Sequence, residues 1–205
     1  MRLVDTFLGR LRKPQSRITD RLELAAFLES RAAFVSQQCV TEFCRVRAGV
    51  HWEKLFRESD FQDALLRSGW LAFTPALAML TEMAEGVLRP VSEAERLRGA
   101  LTGLATEIRG GMRLPGQVPL EDWRAQDGLV ADSLARAALA APRPVRHLPD
   151  PLAKMVFDAL PLHVSLLTND FDYIFNNLRM NLLRAHEDFI AIADSGAIAR
   201  SLSAA

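Results

Sequence analysis

Cysteine is nearly missing from this chain, with Cys39 and Cys44 the only two. On a helix, five residues separate them by ~7.5 Å of rise and roughly 140° of rotation, so they do not pair without unwinding it. The absence of any C-x-x-C removes the usual cysteine framework for zinc, and two helical thiols suit a reducing cytoplasm. Histidine is sparse too, with His51, His147, His163 and His186. None follows a Glu by three residues, so the E-x-x-H pairs of di-iron bundles are missing, as are H-E-x-x-H and any phosphate loop. No catalytic residue, cofactor or metal site is expected. Basic and acidic residues balance at 25 each, which removes a global electrostatic argument for nucleic acid. The N-terminus lacks the apolar core and cleavage site of a signal peptide. The most apolar window, "GWLAFTPALAML", falls short of the about 20 residues that span a bilayer, and Arg67 and Glu82 bracket it.

What the chain does have is apolar residues at helical spacing. They make up 49% of 205 residues, with eleven Phe and three Trp, enough for a sizeable core. No run alternates like a strand, and no repeat is visible. The expected fold is all-α, a bundle of six to eight helices. Its long helices are expected at about 19–47, 60–88, 92–109, 120–140 and 169–194. Residues 1–14 form a separate amphipathic segment, and 15–205 one domain, with a Pro-rich linker at 141–151 as the place of any sub-division. Thr19 is the expected cap of the first long helix, with Asp20 in its first turn, and Ser59 with Gln62 and Ser92 with Glu95 read as capping boxes. Its apolar seam runs unbroken from Leu24 to Val46, and Gly49 ends it. Pro75 must kink or split the helix that contains it. Asp150 is the expected cap, and Pro151 the opening, of a further helix.

One stretch resembles a DNA-binding motif. In "RAGVHWEKLFRESDFQDALL", residues 47–66, Ala48, Gly49 and Val50 match a turn, and Leu55 and Phe56 a recognition helix. Asp63, Ala64 and Leu65 match the opening of the next helix. This is similar to the helix-turn-helix end of TetR-type repressors and implies a ligand-responsive transcriptional regulator. The residues around it depart from that pattern. "AFVSQQCV" lacks the break that two short helices need. His51, Trp52 and Glu53 stand where the groove-facing residues belong, and residues 36–66 carry five acids against four bases. A broader resemblance rests on "SRITDRLELAAFLESRAAFVSQQC", "GVLRP" and "NNLRMNLLRAHEDF". These are similar to a family of small bacterial all-helical proteins of uncharacterised function, some of which carry an esterase label. That label implies a hydrolase serine, yet none of the eleven serines lies in G-x-S-x-G.

Two stretches carry candidate interaction residues. Leu3, Phe7, Leu8 and Leu11 share one face of the N-terminal segment, with Arg10, Arg12 and Lys13 around it. Residues 1–21 hold six bases against two acids. That pattern suits an anionic membrane surface, a docking groove, or packing on the chain's own bundle. The second stretch opens the last long helix, where all four asparagines of the chain fall together with its one tyrosine. Asn169 serves as a cap. Asp172, Tyr173, Asn176, Asn177, Arg179, Asn181, Arg184 and His186 read either as a solvated helix with local pairs or as polar groups lining a groove. The leading functional expectation is a non-catalytic protein–protein interaction module, acting as adaptor, regulator or assembly factor; a TetR-like ligand-responsive regulator is the alternative, and an enzyme of unrecognised class the third. Its partner is another protein or a second copy, with peripheral membrane contact through residues 1–13. Nucleic acid is not expected, and no small-molecule ligand is specified. The expected place is the cytoplasm, peripheral to the inner membrane where the N-terminal segment docks.

Overall fold

The computed structural model describes residues 17–162 and 170–204. Leu3, Phe7, Leu8, Arg10, Leu11, Arg12 and Lys13, and also Asn169, lie outside the described residues. The described chain is an all-α bundle. Its elements are α1 (Arg21–Ala48), α2 (Trp52–Leu55), α3 (Ser59–Leu88), α4 (Ala94–Gly110), α5 (Leu120–Arg124) and α6 (Leu129–Ala137). They continue with α7 (Ala153–Asp158), α8 (Phe171–Ile192) and α9 (Ser195–Ser203). Among the described residues the sole extended pairing is a parallel bridge of Ile18 with Ala193.

The unbroken seam does produce one helix. α1 runs 28 residues without a turn, so no pair of short helices forms where the repressor motif requires one. Gly49 ends it at φ 54°, a conformation that glycine adopts without steric penalty. α8 packs along α1 in the antiparallel sense. Arg31 pairs with Asp188 at 2.6 Å near one end, and Arg47 with Asp170 at 3.1 Å near the other. The rings of Phe27 and Phe189 lie 5.2 Å apart, and those of Phe43 and Tyr173 5.7 Å apart, between the same two helices.

α3 is the central element. Every residue from 72 to 85 is buried, the pattern of a helix surrounded on all sides. Residues 59–91 are long and apolar enough by composition to cross a membrane, although the shorter window quoted above is not. Of their most apolar stretch 83% is buried inside the bundle, so the described core accounts for that hydrophobicity. Pro75 neither splits nor ends α3. Having no N–H, it leaves the carbonyl of Leu71 without its helical donor. Gln126 Nε2 donates to that carbonyl at 2.8 Å instead.

Several local expectations are corrected. The cap of α1 is Asp20, whose carboxylate accepts from the Glu23 amide, while Thr19 donates to the Glu23 side chain. Glu93, one residue beyond Ser92, caps α4 by accepting from the amides of Glu95 and Arg96. Ser59 caps nothing, and Gln62 instead donates to the Phe56 carbonyl. The helix expected at 120–140 is two, α5 and α6, separated where Gly128 takes φ 82°. α7 starts at Ala153, after a turn through Asp150 and Pro151. α9 was not anticipated as a separate helix; Asp194 starts it by accepting from the Ala197 amide. One contiguous cluster of buried apolar side chains joins elements on both sides of the 141–151 linker.

Candidate functional site

The outer face of α8 carries most of the polar residues singled out in the sequence, but not all. Asp172, Tyr173, Asn176 and Arg184 are exposed, and Asn177, Arg179 and His186 are half-buried. Asn181 points inward and is only 7% exposed. Its Nδ2 donates to the Asn177 carbonyl at 3.0 Å and to Asn177 Oδ1 at 2.8 Å, a local pair one helical turn apart. Met180 joins the exposed set at 47%, one heptad beyond Tyr173 at 37%. The Tyr173 ring packs on Phe43. Burial first, and then the nearby Glu42 carboxylate, push its hydroxyl above the ordinary range.

His186 faces elsewhere. It lines a cleft of about 270 Å³ bounded by α3, the end of α6 and the strap of residues 138–147. The floor of this cleft is ionic. Glu82 and Glu85 stand three residues apart on the most apolar helix, 4% and 1% exposed. Arg89 binds Glu85 through Nε and a terminal nitrogen, both at 2.8 Å. Arg143, from the strap, binds Glu82 in the same two-pronged way, again at 2.8 Å for each contact. Ser133 Oγ of α6 donates to Glu82 Oε2 at 3.0 Å. Arg89 also donates to the carbonyls of Ala137 and Ala140, where the strap leaves α6. Both oxygens of each carboxylate are therefore engaged by a guanidinium, the two-pronged geometry that best suits a buried carboxylate.

None of Glu82, Glu85, Arg89, Ser133 or Arg143 was singled out from sequence as a site residue. A signal existed: two glutamates inside a helix whose apolar residues cover its whole circumference have nowhere to go but inward. Their arginine partners carried no such mark.

A second hollow, about 350 Å³, lies between α4, α5 and the start of α6. There the Arg109 guanidinium stacks 4.5 Å from the Trp123 ring centroid and donates to the Trp123 carbonyl at 2.7 Å. Burial pushes the thiols of Cys39 and Cys44 up to about 12, so both stay protonated at neutral pH. Among the described residues no group of three or more His, Cys, Asp and Glu is placed to hold a metal ion.

Fold and site together define a helical bundle with a patterned outer helix face and an internal ionic clamp. No protein-family model, curated protein or solved structure matches the chain.

Proposed function

We propose that this protein is a non-catalytic interaction module that binds a protein partner along the outer face of α8. The observation that carries the reading is the exposure of Tyr173 and Met180 at heptad spacing, with Asn176 between them and Arg184 one turn beyond. Tyrosine and arginine are enriched among the residues that dominate binding energy, and methionine among interface residues in general. Helical anchors at i, i+3 and i+7 are the geometry by which one helix meets another surface. Asn177 and Asn181 support that face from behind, because Asn181 Nδ2 donates to both the carbonyl and Oδ1 of Asn177 and keeps the pair within α8.

The test places a photo-crosslinking residue at position 180 in the full chain inside living cells, with position 136 on the outside of α6 as control. The expected result is a discrete adduct from position 180, none from position 136, and loss of the adduct in the Tyr173→Ala/Arg184→Ala variant. Diffuse labelling from both positions would overturn the reading.

A further inference from the structure

Arg143 meets the bundle as a ligand meets a receptor. It lies between Pro142 and Pro144. Pro144 biases it to an extended backbone, and both ring-fixed neighbours stiffen the strap. Its guanidinium forks onto both oxygens of Glu82, and Ser133 holds that carboxylate from α6. Glu82 and Ser133 are 4% and 1% exposed, whereas the Arg143 side chain keeps 34%. The receiving half is built into the core, and the inserted half rides on a surface connection.

Past Arg143 the connection is fastened, with Arg143 Nη1 donating to the His147 carbonyl at 3.4 Å and Val145 packed against the core; before it the contacts are fewer. Residues 139–142 are exposed, Leu139 at 87%. Pro142 rests against α3 at Gly86, where a Cβ would stand 3.5 Å from the proline ring. The carbonyls of Ala137 and Ala140 are held by Arg89, which Glu85 orients. The next fully buried residue is Leu148.

We propose that the Glu82–Ser133 pocket is a recognition site for a proline-flanked arginine in an extended segment of a protein partner. Arg143 is its internal occupant, displaced when such a segment binds. The exchange conserves the interaction that an empty pocket would forfeit, since one guanidinium replaces another on a carboxylate that is too buried to stand unpaired. A tethered competitor acts at an effective concentration of order millimolar. The partner segment must therefore add contacts of its own, and the exposed Leu139 and the freed strap offer them. This site is separate from the outer face of α8 and does not rest on that reading.

The test uses the full chain carrying Arg143→Ala. Its thermal midpoint is measured with ethylguanidinium, with ethylammonium at equal ionic strength, and with the peptide acetyl-Pro-Arg-Pro-amide. The midpoint is expected to fall on substitution and to be restored, saturably, by ethylguanidinium and by the peptide but not by ethylammonium. The Glu82→Gln/Arg143→Ala chain is expected to gain nothing. The peptide is expected to bind Arg143→Ala about tenfold or more tighter than the unsubstituted chain, whose own arginine competes. If Arg143→Ala does not fold alone, recovery of folding on adding ethylguanidinium supports the site, and no recovery refutes it. Equal responses in the single and double variants, or equal peptide binding with and without Arg143, would also refute it.

Discussion

Cys39 and Cys44 are separate thiols on one helix, as their spacing demands, and each is buried. Burial raises both from an ordinary 9.0 to about 12, and at Cys39 the neighbouring Cys44 adds to that rise. The thiolate is the disfavoured form in the folded chain, so folding releases no proton below pH 9 and resists release above it. The stabilisation is complete below the unfolded value and is lost as pH rises from about 9 toward 12. Urea midpoints across that window should fall more steeply for the natural chain than for Cys39→Ala/Cys44→Ala; parallel curves would contradict the assignment. Gly86 gives a second residue-scale expectation. An added Cβ meets Pro142 at ordinary van der Waals distance, while glycine inside a helix forfeits ~0.5–1 kcal/mol relative to alanine. Gly86→Ala should therefore stabilise by that order, read from the denaturant midpoint, and a loss instead would mean that the strap cannot yield. The inward turn of Asn181 was not legible, because propensity scales rank asparagine without regard to a partner one turn away.

Periodicity made the elements readable and left their ends unreadable. The seam from Leu24 to Val46 requires one helix because no Gly, Pro, Asn or Asp interrupts it, and α1 is that helix. Caps failed by a single residue at Asp20 and Glu93 because neighbouring side chains offer the same chemistry, and the entry path of the chain selects among them. The break at Gly128 was masked by apolar spacing that continues across it. Pro75 illustrates the opposite case, a local loss made good by a distant residue. Gln126 supplies the hydrogen bond that the proline cannot, and so α3 stays whole. Gln126→Ala should cost ~1–3 kcal/mol, the price of a buried carbonyl left without a donor. In a Pro75→Ala background the restored amide serves Leu71, and most of that cost should vanish. A double-mutant cycle by equilibrium unfolding measures the coupling, expected at ~0.5–3 kcal/mol; strict additivity would show that Gln126 acts elsewhere.

At the scale of the whole molecule, what escaped the sequence is pairing across long separations. Glu82 finds Arg143, and Arg31 finds Asp188, only because helices distant in sequence become neighbours. The joining of the segment before α1 to the turn between α8 and α9 is of the same kind. The Ile18 amide donates to the Ile192 carbonyl at 3.0 Å, and the Asp194 amide to the Ile18 carbonyl at 2.8 Å. The Arg21 amide then donates to Ser201 Oγ at 3.1 Å, so α9 completes the start of α1. α9 also inserts Ile198, fully buried, and Leu202, 4% exposed, into the common core. Burying two such side chains stabilises by ~3–6 kcal/mol, against a total of about 5–15 kcal/mol for an ordinary domain. Because the core is one cluster, that loss is not confined to the terminus but falls on the cooperative unit. A chain ending at Asp194, which keeps the Ile18 bridge and lacks α9, should melt on the order of ten degrees or more lower than the full chain. The Ser201→Ala chain should fall by only a few degrees, since it loses one partly exposed hydrogen bond of about 1 kcal/mol. Calorimetry of both separates the contributions. A truncated chain that melts with the full one would place α9 outside the cooperative core and leave the Ile18–Ala193 bridge to hold the start of α1 to the end of α8 without it.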